Sequence, residues 1–186
     1  MSSILKVNTL QDAGGNTILS SDGAGTFTSS LPNTGITEID MWRLYSGLTG
    51  DQTPIASNLE RVDTDGFSLL GTGMSEASGI FTFPATGYWE INAHFQFTSD
   101  ATDNQKTGYI QTTTDGSTYD DASHCVANFY AASTLASANT SFIFDVTNTS
   151  THKVRFRVAT MGAGSALGSD TNANFTFFTF KKLANT

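Results

Sequence analysis

Cysteine is almost missing from this chain: Cys125 is the only one. That excludes an intrachain disulfide and any zinc site built on several thiolates, and leaves a small buried thiol as the expected role. Cations are scarce as well, nine Lys and Arg against seventeen Asp and Glu, for a formal net charge of −8. Phosphate backbones and anionic lipid surfaces are bound by clustered Lys and Arg, so nucleic acid and membrane surfaces are poor partners for this chain. No apolar run approaches the ~20 residues of a membrane-spanning helix. The first residues, Met1-Ser2-Ser3-Ile4-Leu5-Lys6, lack the basic start and apolar middle of a secretory signal. The expectation is synthesis in a cytoplasm, with any exit by another route such as assembly into a particle. Charged residues make up only 14% of the chain, and no stretch has the length, period and caps of a helix.

What the chain does have is Phe, fourteen of them, among many Ser, Thr, Asn and Gly. This suits strands. The most informative stretch is Gly79-Ile80-Phe81-Thr82-Phe83-Pro84-Ala85-Thr86-Gly87-Tyr88-Trp89-Glu90-Ile91-Asn92-Ala93-His94-Phe95-Gln96-Phe97-Thr98. It reads as a short strand, a Pro/Gly corner and a long strand. Trp89, Ile91, Ala93, Phe95 and Phe97 fall on one face, while Tyr88, Glu90, Asn92, His94 and Gln96 fall on the other. Alternation of this length marks a strand with one buried face.

Residues 1–36 differ from the rest. They hold few bulky apolar residues and three turn signals, at Gly14-Gly15-Asn16, Asp22-Gly23-Ala24-Gly25 and Pro32-Asn33-Thr34-Gly35. Short β-like pieces lie between them. Such a segment buries too little apolar area to fold alone. Ile4, Leu5, Val7, Leu10, Ile18 and Leu19 mark it as an attachment arm that orders on another chain, since a disordered tail is depleted in such residues. From residue 37 to 186 strand signals crowd together: Ile39–Tyr45, Asn58–Val62, Phe67–Leu70, the long segment above, Gly108–Thr113, His124–Tyr130, Thr140–Val146, Lys153–Val158 and Asn174–Leu183. The order predicts an all-β sandwich of about 8–10 antiparallel strands. In the last strand Phe178 and Phe180 oppose Phe175 and Phe177, so it needs cover on both sides. Trp42 and Tyr45 add to a similar aromatic surplus. Trp42, Tyr45, Tyr88, Phe178 and Phe180 are therefore the aromatics expected in the core or at a subunit interface.

The sites of familiar chemistries are not here. His94, His124 and His152 are too far apart in sequence to form a paired metal motif. Asp115-Gly116-Ser117-Thr118-Tyr119-Asp120-Asp121 lacks the Glu that completes a helical calcium loop, and reads as a hairpin tip. Ser165 has a Gly directly before it rather than two positions before, which does not match a nucleophile elbow. Phosphate loops, paired-carboxylate motifs and dinucleotide fingerprints do not occur. Trp42, Tyr45, Tyr119 and Tyr130 could stack on sugars only if exposed. No enzyme activity and no cofactor is expected.

Two resemblances add to this reading. Leu59-Glu60-Arg61-Val62, then Gly79 through Trp89, then Val154-Arg155-Phe156-Arg157-Val158, and the closing Phe175-Thr176-Phe177-Phe178, resemble the globular heads of the complement first-component and tumour necrosis factor superfamily. That resemblance implies a jelly roll that assembles as a homotrimer. In some members of that superfamily calcium sits near the trimer axis, so a structural calcium ion stays open, with no residue assigned. Ser2-Ser3-Ile4-Leu5-Lys6-Val7-Asn8-Thr9-Leu10-Gln11-Asp12 and Gly15-Asn16-Thr17-Ile18 look like the opening of structural proteins of tailed phages, especially those of cyanobacteria and marine bacteria. This implies a virion surface protein, made in the host cytoplasm and tied by its arm to the major capsid protein or another virion protein. A capsid decoration or cement protein is the favoured expectation, because a tail fibre normally carries a long shaft. The alternatives are a short tail fibre or adhesin that recognises host surface glycan, and a free lectin-like head.

Overall fold

The structure, a computed structural model, describes residues 7–29, 35–100 and 105–186. The chain divides into two compact units, Met1–Gly35 and Ile36–Thr186. In the first, β1 (Thr9–Gln11), β2 (Thr17–Ser21) and β3 (Phe27–Ser29) pair as an antiparallel meander in that order. Both turns are closed by an aspartate. Asp12 accepts from the backbone N–H groups of Gly14 at 2.8 Å and Asn16 at 2.9 Å. Asp22 accepts from Ala24 at 2.7 Å and Thr26 at 3.1 Å. These are Asx turns, in which a short carboxylate stands in for a backbone acceptor. Leu10 lies opposite Leu19 across the β1–β2 pair.

The second unit is a sandwich of two antiparallel sheets. Its strands are β4 (Ile39–Leu44), β5 (Leu59–Arg61), β6 (Ser75–Ala77), β7 (Ile80–Thr82), β8 (Gly87–Thr98), β9 (Gln105–Thr113), β10 (Asp120–Asn128), β11 (Leu135–Val146), β12 (Lys153–Ala159), β13 (Ala166–Leu167) and β14 (Phe177–Ala184). One sheet runs β10-β9-β12-β7-β6 and the other β11-β8-β14-β4-β5, with β13 beside β8. Sequence neighbours repeatedly land in opposite sheets, which is the jelly-roll pattern. No helix occurs among the described residues.

The long strand behaves as its alternation requires. Trp89, Ile91, Ala93, Phe95 and Phe97 are all buried, and the intervening residues are half-buried or exposed. Phe178 and Phe180 of β14 sit beside them in the core, fully buried. Phe156 of the opposite sheet stacks on Phe178, with ring centroids 3.7 Å apart and planes at 3°. The turn before β7 and the corner before β8 each depend on a glycine. Gly79 has φ of 79° and packs under the Ile55 carbonyl, and Gly87 has φ of 140° against the Ala184 carbonyl. A Cβ at either position would meet backbone, so the glycines are required by both dihedral and space.

The sequence expectation is wrong for Phe67–Leu70. It is not a strand but part of a long loop from Val62 to Met74, in which Leu70 forms an isolated bridge with Ile39 of β4. Asp65 and Gly66 turn the chain with φ of 55° and 81°. Buried ions then hold the loop in place. Asp40, 1% exposed, accepts from Arg61 Nε at 2.9 Å, Trp42 Nε1 at 2.9 Å and the Met74 N–H at 2.7 Å. Arg43, also 1% exposed, donates to Glu60 at 2.7 Å, Asp63 at 3.1 Å and Thr64 at 2.8 Å. Buried charges persist only when paired and hydrogen-bonded in this way. β11 also begins earlier than its apolar residues indicate, at Leu135, because its polar first half pairs residue for residue with β8.

Candidate interaction surface

The outer face of the β11-β8-β14-β4 sheet is the candidate site. The register places Phe177 opposite His94, Thr179 opposite Asn92 and Lys181 opposite Glu90. On the other flank Ser141 faces Asn92 and Ile143 faces Glu90. At the centre the His94 imidazole stacks on Phe177, with centroids 5.1 Å apart and planes at 26°. Burial against this ring pushes the His94 pKa below its ordinary value of 6.5, so the neutral imidazole is favoured. Lys181 and Glu90 form an ion pair across the β8–β14 register, at 3.1 Å. Tyr88 and Ile143 are exposed, at 42% and 60%. Arg43, opposite Phe177, is paired with Glu60 and Asp63, and Asp145, opposite Tyr88, is exposed. The face thus has an aromatic centre, uncovered apolar side chains near one end, and charges that are mostly paired. Such a face fits contact with another protein surface better than free exposure to water.

The remaining predicted residues fall in distinct places. Phe178 and Phe180 are core, inside the sandwich. Trp42 is half-buried at the core's edge, edge-on to Phe81 at 5.5 Å and under the Arg61 guanidinium at 4.8 Å. Tyr45 is exposed in the turn after β4. Of the arm residues, Val7 and Leu10 are exposed, Ile18 and Leu19 are half-buried, and Ile4 and Leu5 lie outside the described residues. Sequence reasoning missed His94 and Phe177 as a pair. The alternation placed each on an outward face, but only the β8–β14 register sets them side by side.

The other candidates resolve into structural roles. Asp115 is a hairpin tip, with Gly116 at φ of 81°. Its carboxylate accepts from the Thr118 and Ser117 N–H groups, each at 2.7 Å, and these bonds hold its pKa well below the usual range. Cys125 is buried, and desolvation pushes its pKa up to about 11, which makes the thiol unreactive. Ser165 is buried in the turn before β13 and donates its backbone N–H to the Gly162 carbonyl. Among the described residues no three His, Cys, Asp or Glu side chains gather as a metal site requires. Among the described residues no helix is long and apolar enough to cross a membrane.

No protein-family model and no curated protein matches the chain. Solved structures do. Murine APRIL at pH 8.5 superimposes with a TM-score of 0.58 at 14% sequence identity, covering 78% of this chain and 98% of that one. Eiger TNF from S. frugiperda gives a TM-score of 0.61 at 10% identity, covering 80% of this chain and 93% of that one. At such identities the likeness is one of fold, and the fold of this chain is an all-β, TNF-like jelly roll.

Proposed function

We propose that this protein is a homotrimeric, non-enzymatic structural component of a phage virion, a capsid decoration or cement protein held by its N-terminal unit. The observation that carries the trimer is the outer face centred on His94 and Phe177. Burial of that face against neighbouring copies covers Tyr88 and Ile143, and most of the charges it would enclose are already paired, Lys181 with Glu90 and Arg43 with Glu60 and Asp63. The TNF-like fold is compatible with such a trimeric binding or structural role. The virion assignment rests on the resemblance of residues 2–18 to the openings of tailed-phage structural proteins. Attachment is supported by Val7 and Leu10, which the meander leaves uncovered, and by free strand edges on β1 and β3 that can take another strand. Three arms per trimer multiply weak single contacts.

The second reading, a short tail fibre or adhesin for host surface glycan, is favoured by Tyr130. Its side chain stands 99% exposed in the loop between β10 and β11. Copy number on purified particles separates the two, since decoration requires many copies per capsid and a fibre few. Deleting residues 1–36 is expected to leave a soluble trimer that no longer joins the particle. Particles decorated by the truncated chain overturn the attachment role.

A further inference from the structure

The opposite outer face, on the β10-β9-β12-β7-β6 sheet, has a different chemistry. Lys153, Arg155 and Arg157 alternate along β12 and point away from the core, where Val154, Phe156 and Val158 are buried. A two-residue repeat spaces these cations by about 7 Å. In a chain of net charge −8, this row gathers three of the nine Lys and Arg.

The three cations are not equivalent. Arg157 is neutralised: its Nε and a terminal nitrogen reach both oxygens of Asp121 at 3.0 and 2.7 Å, and its guanidinium lies 3.6 Å from the Tyr109 ring centroid. Lys153 donates to the Thr149 carbonyl at 2.7 Å. Arg155 is held just as firmly but without a counter-charge. Its Nε donates to Gln111 Oε1 at 2.8 Å, and its guanidinium lies over the Tyr119 ring, 3.9 Å from the centroid. Gln111 is fixed in turn by donating to Asp121 at 2.7 Å. Among the described residues Arg155 forms no ion pair, and its terminal N–H groups keep their planar fork open.

We propose that Arg155, oriented by Tyr119 and Gln111 and flanked by Lys153, is a binding site for the carboxylate of an acidic surface polysaccharide, such as a uronic acid unit. A planar guanidinium fork pairs with a planar carboxylate through two parallel bonds, and an arginine already ordered by stacking loses little entropy on binding. Recognition at this face rests on the carboxylate and not on ring stacking. Its aromatics, Tyr109 and Tyr119, are covered by guanidinium groups, so it offers no open aromatic pocket of the kind that anchors protein partners. A repeating polymer also suits a protein that presents several copies of one shallow site. The inference holds wherever the protein sits on a particle, and its test is independent of particle assembly.

The test uses the full-length protein and three polymers: polygalacturonate, dextran sulfate and neutral dextran. Binding is read by calorimetry at low and high salt, with circular dichroism and sedimentation to check that each variant keeps fold and assembly. Salt-sensitive binding of polygalacturonate, none of neutral dextran, and weakening by about tenfold in Arg155→Gln support the site. Arg155→Lys keeps the charge but loses the fork, and is expected to bind several-fold more weakly than the parent. Equal binding by the parent and Arg155→Gln overturns the assignment, as does polygalacturonate binding no better than neutral dextran. Tighter binding of dextran sulfate than of polygalacturonate overturns the choice of carboxylate. If Arg155→Gln does not fold, Arg155→Lys alone decides, and undiminished affinity refutes the bidentate contact.

Discussion

The two outer faces of the sandwich are built on one core yet carry opposite chemistries. The β11-β8-β14-β4 face is centred on a His94–Phe177 stack, and its cations Lys181 and Arg43 are paired with carboxylates. The β10-β9-β12-β7 face is a lattice of arginines lying on tyrosines. Both derive from the same period of two, since every strand that buries Phe or Val on one side shows another residue on the other. The difference teaches that burial patterning leaves the outward positions free. A face that meets a copy of itself avoids unpaired charge, because a buried cation without a partner costs several kcal/mol. A face that stays in water tolerates cations and can use them for recognition.

The largest effect is expected where both faces are supported together. Phe178→Ala removes the ring stacked on Phe156 between the two sheets, and is expected to cost about 3–5 kcal/mol in urea unfolding. Both faces should lose their function with it. A variant that left stability unchanged would mean that the two sheets do not depend on this contact.

A charge separates the faces. Ile143→Lys, at a 60% exposed position on the His94 face, is expected to convert trimers to monomers in sedimentation, while Arg157→Ala on the other face leaves the mass unchanged. A reversed outcome would assign self-association to the arginine face.

Acid is expected to act on the His94 face. The folded His94 pKa lies below the ordinary 6.5 because burial disfavours the imidazolium, so below pH 6.5 the unfolded chain binds more protons than the folded one. Stability is therefore constant with respect to this group above that pH, and declines as pH falls through and below it. His94→Gln should flatten the decline in thermal unfolding measured across the acid range. The smallest effect belongs to the partly exposed Lys181–Glu90 pair. Lys181→Ala should cost the isolated head at most about 1 kcal/mol, and a larger loss in the assembled protein would place the pair inside the interface.

Much of the fold was legible in the chain. The alternation from Tyr88 to Phe97, the corner at Pro84 and Gly87, and the Asp115-Gly116 turn all depend on local steric and hydrogen-bonding rules. Phe67–Leu70 misled for a physical reason. Its apolar residues pack a loop that is held by Asp40, Arg43 and Arg61, and these partners are 20 or so residues away in sequence. The first half of β11 was hidden for the opposite reason: Ser137, Asn139 and Ser141 face outward, and their strand is specified by the partner β8. Phe178 and Phe180 were legible as an apolar pair, but their place in the core became distinct from Phe177's outward place only once the sheet order was known.

By itself the amino-acid sequence determined an all-β chain with a differently textured first segment, a buried inert cysteine and one long strand of known inward face. These follow from interactions between residues close in sequence, or from composition. The tertiary structure decided which residues meet: His94 with Phe177, Arg155 with Tyr119 and Gln111, Arg157 with Tyr109 and Asp121. Each pair is separated by dozens of residues and joined only by strand register. Register is set by the burial of whole faces at once, so no local segment carries it.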